Sequence, residues 1–215
     1  MPFITFLTRA CCRPAMLKCC IDSVKAQTVP DWEQVFIVDT QKRGLVWANN
    51  ALSANRDRVQ GEWVFHLDDD CRLLMPAFIA RLKRHLRQHP TSQVVMLKTS
   101  RPQIVPKILP APNVWGHPER LNMHANGMCH VVRRDVWHDC IPAIRGGGAG
   151  ANRFIQAFLK AGATLSWLDI VASETQQIGK GTAFEQCRGN WWTRIVKQYN
   201  IKQQKPGDWR LTPGL

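Results

Sequence analysis

An apolar run that stops abruptly at three consecutive carboxylates, Trp63-Val64-Phe65-His66-Leu67-Asp68-Asp69-Asp70, constrains this chain more than any other stretch. A short apolar and aromatic segment between Gly61 and a polar cluster predicts a buried strand. Such a strand delivers its last residues to the edge of a sheet, and in open α/β sheets ligands bind outside the carboxyl ends of the strands. Three adjacent acids repel one another unless a cation sits among them, and hard divalent ions such as Mg²⁺ or Mn²⁺ prefer oxygen ligands. Asp68, Asp69 and Asp70 therefore read as a metal and nucleotide site, in preference to a solvated acidic turn.

The flanking sequence supplies a sheet for this strand. Phe3 to Thr8 predicts a first strand, and Pro14 opens a helix carrying Leu17, Cys20, Ile21 and Val24 at helical spacing to about Gln27. Trp32 to Val38 is a nearly continuous apolar strand ending at Asp39, a second acid at a strand's carboxyl end. Leu45 to Ala54 has helical composition, Pro76 begins a helix with Phe78, Ile79, Leu82 and Leu86 inward, and Val94 to Leu97 is another buried strand. Strand alternating with helix predicts a right-handed, three-layer α/β architecture around a mostly parallel sheet. Prolines 102, 106, 110, 112 and 118 predict loops and edge strands over residues 101 to 125. Met128 to Val132 and Ala163 to Ile170 are further strands, and Ala151 to Lys160 and Trp191 to Tyr199 are helices. Residues 146–150 form a glycine loop without the Lys-Ser/Thr of a phosphate loop, read as a lid or linker. One domain over 1–200, with a half to residue 100 that carries the strand-end acids and a less regular half beyond it, and a poorly ordered or late-docking tail over 201–215, is the expected organisation.

Composition narrows the setting. No run approaches the ~18 apolar residues of a membrane span, and the N-terminus lacks the layout of a signal peptide, so a cytoplasmic protein is expected. The eight cysteines lack zinc spacing and read as reduced structural thiols. His85 and His89, four apart, read as a solvated helix end rather than a metal pair, and His124, His130 and His138 as ordinary hydrogen-bonded residues. Twenty-nine Lys and Arg against sixteen Asp and Glu give +13, which implies attraction to a polyanion such as DNA or to an anionic membrane surface.

Thr8-Arg9, Arg13-Pro14, Ile21-Asp22-Ser23-Val24, Val38-Asp39, Ala48-Asn49-Asn50 and Gly61 to Asp70, in that order and spacing, resemble the N-terminal half of a family 2 glycosyltransferase with the GT-A fold, over residues 3 to 80. The resemblance implies a GT-A-like, Rossmann-like fold and a hexosyltransferase using a nucleotide-sugar donor, with a UDP-sugar the first choice and Mn²⁺ or Mg²⁺ as cofactor. Carried over, Thr8, Arg13 and Asp39 hold the base, Asn50, Asp68 and Asp69 the sugar nucleotide, and Asp70 with Asp68 the metal. Three departures stand out. Asn49 replaces an arginine, Thr40 to Arg43 replace an acidic turn, and Gly150 to Arg153 lack the family's catalytic acids. Glu174 is the candidate base or additional metal ligand, with Asp169 and Asp135 as alternatives; a retaining route without a protein base, or an inactive chain, is what remains if none serves.

The acceptor is open at this level. A hydroxymethylated base in DNA, flipped out and gripped by basic residues and tryptophans such as Trp191-Trp192 beside Arg188 and Arg194, fits the charge. A lipid-linked or cell-envelope glycan at an anionic membrane is the alternative. Outside this class stand a non-catalytic nucleic-acid-binding module and a nucleotidyltransferase, the latter disfavoured because Arg9 to Arg13 is not a glycine-rich phosphate loop.

Overall fold

The structure is a computed structural model that describes residues 1–102, 107–121, 128–146, 150–176 and 190–214. Pro106, His124, most of the glycine loop, Cys187 and Arg188 lie outside them. Strand β1 (Ile4–Ala10) pairs in parallel with β2 (Trp32–Val38), and α1 (Pro14–Lys25) connects them with Pro14 in its first turn, where a missing N–H costs nothing. Helix α2 (Gly44–Ala54) leads to β3 (Trp63–His66), which pairs in parallel with the other side of β1. The parallel core β2-β1-β3 is thus the one its apolar runs predict.

The acid triplet is a turn. The Cys71 N–H donates to the Asp68 carbonyl at 2.9 Å, and a short strand β4 (Cys71–Leu73) departs from it, an element too brief to register in the hydrophobic pattern. There follow α3 (Phe78–Gln88), β5 (Val94–Ser100), β6 (Ile108–Leu109), β7 (His130–Arg133), α4 (Arg134–Cys140), α5 (Gly150–Lys160), β8 (Leu165–Thr175), α6 (Trp191–Tyr199), β9 (Lys202–Lys205) and β10 (Asp208–Leu211). The strand order is β4-β8-β5-β7-β3-β1-β2-β10-β9, with β6 on the side of β5. β5 and β8 are parallel, whereas β7 lies antiparallel between β3 and β5. β8 runs five residues past its predicted end, because its last residues pair with β4.

Two apolar layers complete the sandwich. Side chains of β1 and β3 alternate between them: Phe6 and Phe65 face Leu17 and Ile21 of α1 and Phe78 of α3, while Leu7 and Val64 share the other layer with Leu52, Trp137, Phe154 and Phe158. Gly61 is required where β3 begins, because a Cβ there would lie 2.4 Å from the Thr5 nitrogen. Among the described residues no helix is long and apolar enough to cross a membrane. His85 is not a solvated helix end: it is buried, with Nε2 2.9 Å from Ser166 Oγ.

The C-terminal stretch, expected to be a tail, is part of the sheet. β10 pairs antiparallel with β2, and β9 with β10. Its polarity concealed this, because Lys202 to Lys205 are exposed and Asp208 and Arg210 pair with other polar residues in the interior. Arg210 Nη1 donates to Glu33 Oε2 at 2.7 Å, Arg58 Nε donates to Asp208 Oδ1 at 3.0 Å, and Glu33 Oε1 accepts from Thr5 Oγ1 at 2.6 Å and from the Gln60 N–H at 2.8 Å.

A buried histidine sets an acid limit on this fold. His130 packs against Phe154, Phe158 and its titratable neighbour His66, and neither ring nitrogen has a partner among the described residues. Burial, then the His66 ring, pushes its imidazole down to about 3 from 6.5. The unfolded chain therefore binds a proton below pH 6.5 that the folded chain refuses. Stability is fully present above that pH and is lost toward pH 3, at up to ~1.4 kcal/mol per pH unit. His130→Leu is expected to remove about 2–3 kcal/mol of the stability lost between pH 6.5 and 4.5, read by urea melts across that range. An unchanged loss would mean that His130 accepts its proton in the folded chain.

Candidate active site

Parallel strands bring their carboxyl ends together, and here β1, β2 and β3 end at Ala10, Val38 and His66. The loops that follow line a cavity of about 360 Å³, walled by Arg9, Cys11, Arg13, Asp39, Asp68 and Asp70 with the apolar Ile37, Leu45 and Trp47. A larger groove of about 580 Å³, around Arg56, Glu62, Arg133 and Asp135, lies at the opposite end of β3 and holds none of the strand-end acids.

The triplet's three carboxylates point in different directions and find different cations. Arg9 grips Asp68 with a fork, Nε donating to Oδ1 at 2.7 Å and Nη2 to Oδ2, while its Nη1 donates to Asn49 Oδ1 at 2.6 Å. Arg13 spans the other two, Nη1 donating to Asp70 Oδ2 at 2.7 Å and Nη2 to Asp69 Oδ1. Asp69 is wholly buried and also accepts the Cys11 N–H at 2.8 Å, so it ties the β1–α1 loop to the acid turn. Cys12 in that loop adopts a left-handed φ of 48°, a strained conformation for a residue with a Cβ.

The charges follow from these contacts. Burial opposes ionisation of Asp68, but Arg9 outweighs it and holds the carboxyl below its ordinary range. At Asp69 burial wins over Arg13, and the carboxyl is pushed up to about 7. Burial, then Asp39, pushes the Cys11 thiol up to about 11, so it is no nucleophile at neutral pH. Asp39 is almost fully enclosed by its own loop, accepting from the N–H groups of Gln41 at 3.1 Å and Gly44 at 3.2 Å and from Arg43 Nε at 3.1 Å. The Arg43 guanidinium then lies 3.5 Å from the centre of the Trp47 ring.

No protein-family model matches the sequence, and no curated protein does. Solved structures do. TarS 1–349 from S. aureus in complex with UDP-GlcNAc superposes with a TM-score of 0.65 at 14% identity, over 85% of this chain and 60% of that one. The mannosyltransferase PcManGT from Pyrobaculum calidifontis in complex with GDP-Man and Mn²⁺ gives 0.58 at 15%, over 96% and 66%. TarS in its longer form gives 0.63 at 13%, over 82% and 37%. The fold is GT-A-like. The chain spans 37% to 60% of the lengths of the TarS structures it matches.

Within this GT-A-like fold the site residues expected from the sequence divide. Arg13, Asp39, Asp68 and Asp70 line the cavity. Thr8 does not: it faces α1, fully buried, and accepts from Gln34 Nε2 at 2.9 Å. Asp69 is likewise turned inward, as a structural anchor. Asn50 Oδ1 accepts from the Gly146 N–H at 3.2 Å, holding the glycine loop's first residue to α2 rather than reaching the cavity. Glu174 comes to this end of the sheet, since its strand neighbour Thr175 pairs with Cys71, and it bonds Arg72 at 3.0 Å. Asp135 lies at the far end of β7 with Arg133, and Asp169 is exposed beside Lys98. Arg9, Arg43, Trp47 and Asn49 escaped the sequence reading as site residues. Thr8 and Arg9 project to opposite faces of β1, and periodicity alone does not say which face holds the cavity.

Proposed function

We propose that this chain is a glycosyltransferase that moves a sugar from a nucleotide-sugar donor to a hydroxyl acceptor. The observation that carries the reading is the convergence of Asp39, Asp68 and Asp70, with Arg9 and Arg13, on one cavity at the carboxyl ends of parallel strands. In the transfer, the acceptor oxygen bonds to the anomeric carbon, the bond from that carbon to the diphosphate oxygen breaks with its electron pair leaving on the nucleoside diphosphate, and the acceptor proton passes to a base. Glu174, bonded to Arg72 at 3.0 Å, is our candidate for that base if inversion is the outcome.

A divalent ion fits these residues on one condition. Among the described residues no three ligating side chains gather, so these residues form no cage by themselves. Asp70 faces the cavity, with Oδ2 held by Arg13 and Oδ1 accepting weakly from the Cys71 thiol at 3.2 Å. One or two carboxylates plus substrate phosphates is the usual way in which Mg²⁺ is bound, so Asp70, with Asp68, would hold an ion that arrives with the diphosphate. Bound there, it would act as a Lewis acid toward the leaving group. Asp39 and the Arg43–Trp47 stack bound the end of the cavity that suits the base, for which UDP-sugars are our first choice.

For the acceptor, a hydroxymethylated base in DNA is supported by the charge of +13 and by the solvent face of α3, where Arg81, Arg84 and Arg87 occur with no acid in the helix. A lipid-linked or envelope glycan is supported by Leu45 and Val46, which are 48% and 52% exposed beside the cavity and would face a membrane or an apolar acceptor. The test is thermal stability against nucleoside diphosphates and nucleotide sugars with and without Mn²⁺, followed by salt-dependent binding to duplex DNA and to anionic vesicles. A ligand at about a hundred times its dissociation constant adds ~2.7 kcal/mol, which raises Tm by roughly 5–10 °C in a chain of this size. No shift with any nucleotide, while duplex DNA still binds, would replace the transferase with a nucleic-acid-binding module.

A further inference from the structure

Arg9 has capacity that its contacts within the protein do not use. A guanidinium carries five N–H groups. Three are spent, two on Asp68 and one on Asn49, leaving one on Nη1 and one on Nη2 without a partner among the described residues. The side chain is 24% exposed and lines the cavity. Its aim is fixed from two sides. Asp68 holds one edge of the fork, and Asn49, 2% exposed and itself donating from Nδ2 to the Gly146 carbonyl at 2.8 Å, holds the other. Burial works against the charge, but Asp68, Asp70 and Asp69 keep Arg9 protonated.

We infer that Arg9 binds the donor's diphosphate through these two N–H groups, and that Asn49 is the positioning residue that aims it. The inference rests on the donor-pocket reading above and deepens it. An anion entering a cavity lined by Asp39, Asp68 and Asp70 needs compensating positive charge, and a planar fork that is already immobilised supplies it with little further loss of side-chain entropy. The resemblance noted in the sequence also has an arginine where this chain has Asn49. Here the guanidinium comes from β1, and it donates to the amide oxygen of the residue that stands where the resemblance has an arginine.

Titration calorimetry on the full chain with Mn²⁺, comparing UDP and GDP with uridine and guanosine, tests this. Arg9→Ala is expected to weaken the diphosphate that binds by roughly 10- to 100-fold, the scale of hydrogen bonds to a charged group, and to leave its nucleoside within about 2-fold. Arg9→Lys, which keeps the charge and loses the fork, falls between. Adding Asn49→Arg to Arg9→Ala is expected to recover most of the loss, because the charge then returns from the helix. A role limited to holding Asp68 predicts instead that Asp68→Asn and Arg9→Ala weaken nucleoside and diphosphate alike, and that result, or an Arg9→Ala affinity for the diphosphate unchanged within 3-fold, overturns the inference. If Arg9→Ala does not fold, by circular dichroism, Arg9→Lys and Asn49→Ala decide on the same ratio of diphosphate to nucleoside affinity. Failure of the unaltered chain to bind either diphosphate overturns the donor-pocket reading, and this inference with it.

Discussion

Replacing Asp70 with alanine is expected to cut the release of nucleoside diphosphate from a sugar donor by roughly 10²–10³-fold, the scale found when a preorganised group that stabilises transition-state charge is removed. Asp70 is the one member of the triplet that lines the cavity without being gripped on both oxygens by a single arginine. Asp68 is clamped by the Arg9 fork, and Asp69 is buried behind the loop. Loss of Asp70 removes the carboxylate we assign to a divalent ion and leaves Arg13 with Asp69 as its carboxylate partner. The assay is run with water as the acceptor, whose glycosylation would release the same diphosphate. Activity within 3-fold of the unaltered chain, with Mn²⁺ still required, would move the metal assignment to Asp68. Asp70→Asn separates charge from shape, and it should resemble alanine if charge is what matters.

Arg210→Met is expected to lower the unfolding free energy by about 3–5 kcal/mol, measured by urea denaturation at neutral pH. Arg210 and Glu33 are both almost completely buried and bonded at 2.7 Å, so removing the arginine leaves a carboxylate in the interior with one oxygen unpaired. The second half of the network reinforces this. Burial pushes the Asp208 carboxyl upward, and the hydrogen bonds and charges of Arg210 and Arg58 more than offset it, leaving it below its ordinary range. Asp208 therefore contributes stability above the ordinary carboxylate range, which is lost as pH falls through its folded value. Combining Arg210→Met with Glu33→Gln should restore part of the loss, because the stranded charge is gone, and the two changes should be strongly non-additive. A loss under 1 kcal/mol would mean that the β9–β10 hairpin is peripheral to the folding unit. The fold argues otherwise, since β10 covers the edge of β2 and its arginine bonds Glu33 of that strand.

The parts legible in the sequence were those governed by local rules. β2 and α6 fall within their predicted bounds, Pro14 opens α1, and the acid turn follows β3, because hydrophobic period and helix-start chemistry act over a few residues. The placement of Asp39, Asp68 and Asp70 on one side also follows from sequence, since acids at the carboxyl ends of parallel strands must meet at one edge. Repulsion within the triplet was legible too, but not what relieves it. The cations that meet these carboxylates are Arg9 and Arg13, one on the strand and one just beyond it, and nothing in their spacing from Asp68 marks them as partners 56 to 59 residues away.

The sequence by itself determined a three-layer α/β chain with acids gathered at the end of its parallel core, because strand and helix periods and strand-end acids are local signals. Only the tertiary structure decided that Arg9 and not Thr8 faces the cavity, that Asp69 anchors a loop, and that the polar C-terminus closes the sheet through Arg210. Each of these turns on which of two faces a side chain takes, or on a charge pair between distant segments. Those choices are made by the packing of the whole chain, and no short window of residues contains them.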